Sequence, residues 1–325
     1  MSNSPAPETD TLAALLKAGG DPLRLEILRV LRRDSYGVLE LCRILDLRQS
    51  ALSYQLKVLA KAGLVTTRKE GNTVFYRRAP VSGTLSPLLQ ELFAAADRLP
   101  LRPPLRQGIA NVQADRVAAS RDFFQRNARR FRKYQDLIAS FKDYGEAVTD
   151  LLGHIVPPSA ANALEVGPGE GELLPNLSKR FERVIALDLS TEMLQKSREL
   201  ASKQALANIG FFHGDTTAAI AEGIKADCIT INMVLHHTPS PAEVFTDLGQ
   251  LLNPGGALLV TDLCHHDQAW ARESCGDQWL GFEPEDLTDW ARQAGLSEGH
   301  SEYLALKNGF NVQLRHFVND DATGN

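Results

Sequence analysis

Between Ala163 and Asp188 the chain carries glycines and acidic residues at spacings that suit a nucleoside. Leu164-Glu165-Val166 has strand character, and Gly167-Pro168-Gly169-Glu170-Gly171 leads from it into a helical stretch. The next strand-like run, Val184 to Leu187, closes on Asp188. Glycines at such a turn let a ligand approach the backbone, and the carboxylate after the following strand can accept hydrogen bonds from ribose hydroxyls. A dinucleotide site would need glycine at the third position after Gly169, where Glu172 stands. Glu165, Glu170 and Glu172 would also repel a pyrophosphate. The loop therefore suits a cationic sulfonium nucleoside without phosphates.

Other chemistry-bearing residues are scattered. His236, His237 and His265 are candidates for a catalytic base, because imidazole titrates near neutral pH. Cys42, Cys228, Cys264 and Cys275 show no close pairing and read as reduced thiols, without a zinc ribbon or disulfide framework. No metal-ligating set is expected from these spacings.

The elements that position these residues follow from periodicity. Strand-like runs at Ala163 to Val166, Val184 to Leu187, Ile209 to Phe212, Cys228 to Met233 and Ala257 to Thr261 alternate with helical ones. That alternation predicts a Rossmann-like α/β domain with a mostly parallel sheet. Glu302 to Val318, turning at Lys307-Asn308-Gly309, predicts a hairpin that adds antiparallel edge strands. The N-terminal part differs. Breaks at Gly19 to Pro22, Asp34 to Gly37 and Asp46 to Gln49 divide Thr11 to Ala62 into four helices. Leu64 to Arg68 and Thr73 to Arg77 then form a hairpin across Glu70-Gly71-Asn72, and Ser86 to Leu99 is helical. The prolines at 100, 103 and 104 predict a linker. The expected organisation is an α+β winged helix-turn-helix domain at 1–98, a linker at 99–118 and the α/β domain at 119–325.

Charge separates the two parts. Residues 1–80 hold thirteen Lys/Arg against eight Asp/Glu, although the whole chain carries −5. A basic head on an acidic body suits DNA contact by the head alone. In Gln49 to Leu59, Leu52, Leu56 and Leu59 share one helical face. Gln49, Ser50, Ser53, Tyr54 and Lys57 are then left outside for base edges and phosphates, with Arg68, Lys69, Arg77 and Arg78 on the wing. The N-terminus lacks a signal sequence and no apolar run is long enough to span a bilayer, so a cytoplasmic protein is expected.

Asp21-Pro22-Leu23-Arg24-Leu25-Glu26-Ile27-Leu28, the Gln49 helix, Ala62-Gly63-Leu64-Val65 and the wing together resemble the ArsR family of winged-helix regulators over about residues 9–95. The resemblance implies a homodimer built from Thr11 to Lys17 and Ser86 to Ala96, reading a pseudo-palindromic double-stranded DNA operator. Two departures stand out: Arg48 replaces the frequent Ser/Thr cap, and Cys42 lacks the second thiol of the metal-sensing Cys-x-Cys box. Cys42 is therefore expected to be a core thiol.

The loop at 164–171, with Asp188, His213-Gly214-Asp215-Thr216 and Leu251-Leu252-Asn253-Pro254-Gly255-Gly256, resembles class I S-adenosylmethionine-dependent methyltransferases over about residues 119–296. Asn232 to His237 and Asp277 to Phe282 look most like the small-molecule branch related to quinone methyltransferases. The resemblance implies S-adenosylmethionine or S-adenosylhomocysteine as ligand, with Glu165 facing its ammonium and Gly167, Gly169 and Gly171 lining it. Asp188 would hold the ribose, Met193 would lie near the adenine, Asp215 would accept from its amino group, and Leu189, Thr216 and Asn232 would complete the cofactor site. Relatives close a helix over the cofactor, a role open to Phe123, Phe124 and Phe131 to Tyr134. Two functions are expected to compete: a regulator with S-adenosylmethionine or S-adenosylhomocysteine as effector, controlling methyl-cycle genes, and a small-molecule methyltransferase with an autoregulatory DNA-binding domain.

Overall fold

A computed structural model describes residues 8–70, 73–81, 83–157 and 159–320, with the side chains of 8, 121, 122, 124–134 and 273 left out. Gly71-Asn72 of the expected hairpin turn, and the side chains of Phe124 and Phe131 to Tyr134, lie outside the described residues. The chain divides into two units, Met1–Ala119 and Ser120–Asn325. The second begins one residue from the expected start.

The first unit contains α1 (Glu8–Gly19), α2 (Pro22–Val30), β1 (Tyr36–Gly37), α3 (Val38–Leu45), α4 (Gln49–Lys61), β2 (Val65–Glu70), β3 (Thr73–Arg78) and α5 (Ser86–Arg98). Asp21 caps α2 by accepting from the Arg24 amide at 3.0 Å, and Pro22 takes the first helical position, where its missing N–H is harmless. Asp46, in the left-handed region at φ 53°, turns the chain from α3 towards α4. Arg48 caps α4 without a side-chain hydrogen bond, in line with its departure from the Ser/Thr pattern. Leu52, Leu56 and Leu59 are fully buried with Ile27, Leu28 and Leu41. Each such side chain contributes roughly 1.5–3 kcal/mol. β2 and β3 pair antiparallel from Val65↔Arg78 to Glu70↔Thr73, and β1 adds a third strand through Tyr36↔Tyr76. A two-residue strand leaves no periodic signal, so sequence reading missed β1.

The proline-rich segment is not an irregular linker. Beyond Arg102 the chain enters α6 (Pro103–Ile138), and Leu105 and Val112 are buried in the core of the first unit. Proline breaks a helix interior but fits its first turn, so Pro103 and Pro104 start this helix.

The second unit comprises α7 (Phe141–Ile155), β4 (Asn162–Val166), α8 (Leu174–Arg180), β5 (Arg183–Asp188), α9 (Thr191–Lys203), β6 (Ile209–His213), α10 (Thr216–Ala221), β7 (Ala226–Asn232), a 3-10 turn at Leu235–His237, α11 (Pro241–Leu251), β8 (Leu252–Leu263), α12 (Trp270–Cys275), α13 (Pro284–Gln293), β9 (Leu296–Ala305) and β10 (Asn311–Asn319). The strand order is β6-β5-β4-β7-β8-β10-β9. Pairing is parallel from β6 to β8, and β10 runs antiparallel to both β8 and β9. Because β4 is flanked by β5 on one side and β7 on the other, the connections leave it in opposite directions. A crevice at the carboxyl ends of the strands is the consequence, and ligands of open α/β sheets bind there. Among the described residues no helix is long and apolar enough to cross a membrane.

Candidate functional site

Glu165, the fourth residue of β4, is 3 % exposed, and its Oε2 is buried without a hydrogen-bond partner. Burial, reinforced by the charge of Asp188, pushes its pKa up to about 8. The backbone then turns sharply: Gly167, Gly169 and Gly171 all have positive φ, at 67°, 57° and 87°. A Cβ on Gly167 would stand 2.4 Å from Val234 Cγ2, so only glycine fits between β4 and the segment after β7. α9 anchors the loop from the other side, where the Ser197 hydroxyl donates to the Gly169 carbonyl at 2.9 Å and Lys196 pairs with Glu170 at 3.3 Å.

Asp188 ends β5, accepting from the Ser190 amide at 2.7 Å. Burial raises its pKa to about 6, against the opposing Ser190 hydrogen bond and the nearby His213. Leu189, 66 % exposed, projects an apolar side chain next to this carboxylate, and Met193 is half-buried on the first turn of α9. Asn232 ends β7, and both atoms of its side-chain amide are buried without partners. Glu165 and Asn232 stand on neighbouring strands, with Glu165 paired to Thr230, two residues before Asn232. Buried polar atoms left without partners are costly, and a bound ligand is one way to satisfy them. The donor set is what a sulfonium amino acid nucleoside requires: a carboxylate for an ammonium, a second for a ribose and an amide between. These residues fit the expected ligand.

Two expected members differ. Asp215 is exposed and caps α10, accepting from the Ala218 amide at 2.7 Å. Thr216 is 8 % exposed and donates its hydroxyl to Asp247 at 2.6 Å, so that hydroxyl is not presented to a ligand. Sequence reading passed over Tyr144 of α7. Burial, reinforced by the charges of Glu172, Glu165, Asp262 and Asp136, pushes its phenol pKa well above the usual value. It borders the same acidic pocket, but an aromatic residue on an amphipathic helix carries no signal beyond that of a core residue.

A second cluster lies at the ends of β7 and β8. His236 donates from Nδ1 to Asp262 Oδ1 at 2.7 Å, and Asp262 also accepts from the Leu263 amide at 2.7 Å. Asp277 approaches His236 Nε2 at 3.9 Å and His237 Nδ1 at 3.5 Å. Burial lowers the His236 pKa, but the charges of Asp262 and Asp277 outweigh it and raise the value to about 9. Burial, then the neighbouring His236, holds His237 well below the usual imidazole range. The loop bearing Asp277 is stitched to the 3-10 turn: the Gln278 and Trp279 amides donate to the His236 carbonyl at 2.9 and 3.1 Å. His265 stands outside the cluster and donates from Nδ1 to the Leu280 carbonyl at 3.2 Å. Asp262 and Asp277 went unassigned because they are distant in sequence. The one available signal was an acid inside the apolar run Leu258 to Leu263.

In the first unit, Gln49, Ser50, Ser53, Tyr54 and Lys57 are all exposed on α4, opposite its buried leucines. Lys69 is exposed on β2, and half-buried Arg77 makes a long 3.4 Å contact with the Thr66 hydroxyl. Arg68 and Arg78 are turned inward. Arg68 is paired with the fully buried Glu70, and Arg78 binds Asp97 at 2.6 Å and the Leu28 carbonyl at 2.6 Å. Both serve packing instead of the open wing surface. Cys42 is half-buried, and burial raises its thiol pKa.

Sheet order, glycine loop and strand-end carboxylates define a class I methyltransferase fold, joined to a winged helix-turn-helix. A family model described as "Methyltransferase domain" matches residues 126–304, and one described as "Bacterial regulatory protein, arsR family" matches 21–67. The chain belongs to the methyltransferase domain family and carries an ArsR-family helix-turn-helix. It is 27 % identical over 153 residues to a ubiquinone biosynthesis O-methyltransferase of Xanthomonas axonopodis pv. citri, covering 43 % of this chain and 64 % of that protein. It is 32 % identical over 110 residues to an uncharacterized methyltransferase of Mycobacterium tuberculosis, covering 34 % of this chain and 54 % of that one. The chain thus spans between half and two thirds of these relatives. The solved magnesium protoporphyrin IX methyltransferase of Synechocystis, with bound S-adenosylhomocysteine, shares the fold at a TM-score of 0.50 and 17 % identity. That match covers 62 % of this chain and 99 % of that one.

Proposed function

We propose that this chain is a DNA-binding transcriptional regulator, a repressor, whose methyltransferase-fold domain binds S-adenosylmethionine or S-adenosylhomocysteine as an effector. The observation that carries the reading is the buried, unsatisfied pair Glu165 and Asn232 in a chain that also presents an exposed polar face on α4. The first supports a ligand site and the second a major-groove reader. α6 supports coupling: Leu105 and Val112 belong to the core of the first unit, whereas Phe123 lies where a Cβ on Gly276 would meet its ring at 2.2 Å in the second. A ligand that favours one setting of this helix shifts the reading head only if its affinity differs between the two settings.

The operator-binding form is a cytoplasmic homodimer through α1 and α5, with Leu16, 54 % exposed on α1, among the apolar residues a partner would cover. Gln49, Ser50, Ser53, Tyr54, Lys57, Lys69 and Arg77 meet DNA. Genes of the methyl cycle are the natural targets of such an effector. The test is calorimetric titration of both ligands into wild type and Asp188→Ala. Binding that Asp188→Ala abolishes supports the site, and no binding to wild type refutes it.

A second reading, a small-molecule methyltransferase, is favoured by the His236–Asp262 pair at the end of β8 and by the O-methyltransferases among the relatives. Turnover of S-adenosylmethionine with a phenolic acceptor would support it. Absence of turnover across an acceptor panel, with the ligand bound, would count against it.

A further inference from the structure

We propose that His236, His237 and Asp277 form a binding site for one divalent first-row transition cation. Their donor atoms all lie within 4.8 Å of one another, with Asp277 Oδ1 3.5 Å from His237 Nδ1 and 3.9 Å from His236 Nε2. A cation held at about 2.0–2.2 Å from nitrogen and oxygen ligands separates those ligands by roughly 3–3.6 Å. The two Asp277 separations are within tenths of an ångström of that range, and the two imidazoles, within 4.8 Å of each other, would have to move together by up to about an ångström to close on such an ion.

Three further features agree. His236 directs Nδ1–H to Asp262 at 2.7 Å, which fixes the ring's orientation and turns Nε2 towards Asp277. A carboxylate behind a ligating imidazole is the usual second partner at metal sites. The consecutive histidines are presented by a 3-10 turn that follows Met233, a buried non-glycine residue at φ 55°, and backbone strain of this kind collects at ligand-holding positions. The loop carrying Asp277 is held in register by the Gln278 and Trp279 hydrogen bonds to the His236 carbonyl. Two imidazoles and a carboxylate without a thiolate select ions of the zinc, iron(II) or cobalt(II) kind over softer ones.

The site is independent of the regulator reading and departs from the sequence expectation, since Asp277 stands far along the chain from the histidines. It is tested on the full chain, stripped with a chelator and desalted, then titrated with Co2+ and Zn2+. Bound metal is counted by elemental analysis and the Co2+ visible bands are recorded. Wild type, Cys42→Ser and His265→Ala are expected to hold one equivalent. Asp277→Asn and His237→Ala are expected to bind at least tenfold more weakly while keeping their thermal transitions. If those variants do not fold, histidine-selective NMR of wild type decides: Zn2+ is expected to shift two of the eight imidazoles. Substoichiometric metal in wild type, unchanged binding in both ligand variants, loss in Cys42→Ser, or no imidazole shift would each overturn the site.

Discussion

Replacing Glu165 with glutamine removes a carboxyl whose pKa burial and Asp188 hold up to about 8. With that value, about one molecule in ten is ionised at pH 7 and about one in a hundred at pH 6. An ammonium ligand pairs with the ionised form, so binding must drive off the proton. S-adenosylhomocysteine, whose only cationic group is its ammonium, isolates this effect. Its affinity should rise about tenfold per pH unit between roughly pH 6 and 7.5, and binding at pH 7 should release close to one proton. Calorimetry in two buffers of different ionisation enthalpy measures both quantities. Glu165→Gln should flatten the profile, abolish the proton release and weaken binding at pH 8 by about 1.5–3 kcal/mol, the range of a hydrogen bond to a charged group. The folded pKa lies above the ordinary value of 4.5, so the folded state holds the extra proton. Stability should therefore fall as pH rises from about 4.5 to 8, less steeply in Glu165→Gln. A pH-independent affinity in wild type, or unchanged proton release in the variant, would refute the reasoning.

Other perturbations separate structure from recognition. Gly167→Ala places a methyl 2.4 Å from Val234 Cγ2 at φ 67°, and should lower stability by about 1–3 kcal/mol and remove ligand binding, with Val234→Ala restoring part of the melting temperature. Asp262→Ala strips the buried partner from His236 and should cost about 3–5 kcal/mol in denaturant unfolding, whereas a loss under about 1 kcal/mol would contradict that pairing. Lys57→Ala should leave the thermal transition unchanged and reduce the salt slope of DNA binding by about 1 per reading head. Arg78→Ala should instead destabilise the chain by about 1–3 kcal/mol, because it removes both hydrogen bonds to Asp97, leaving that carboxylate with Arg32 alone at 3.3 Å, and takes the donor from the Leu28 carbonyl.

The sequence exposed those features whose cause is local. Leucines at 52, 56 and 59 oriented α4, and the glycine loop with Asp188 located the crevice, because helical period and turn chemistry depend on near neighbours. What stayed hidden depends on distant residues. Arg68 and Arg78 look like wing cations until Glu70 and Asp97 are seen to claim them. Pro103 and Pro104 read as a linker until α6 starts at them and buries Leu105. The assembly of His236, Asp262 and Asp277 arises where β7, β8 and a later loop end together, which no spacing encodes.

In the proposed regulator, ligand occupancy in the methyltransferase fold changes DNA affinity. The direct measurement is operator binding by the full chain, at fixed salt, with and without saturating S-adenosylmethionine or S-adenosylhomocysteine, in wild type and Asp188→Ala. A shift of at least about fivefold is expected for one ligand in wild type, a coupling of about 1 kcal/mol or more, and none in Asp188→Ala. Operator affinity that stays constant while calorimetry shows the ligand bound would contradict it.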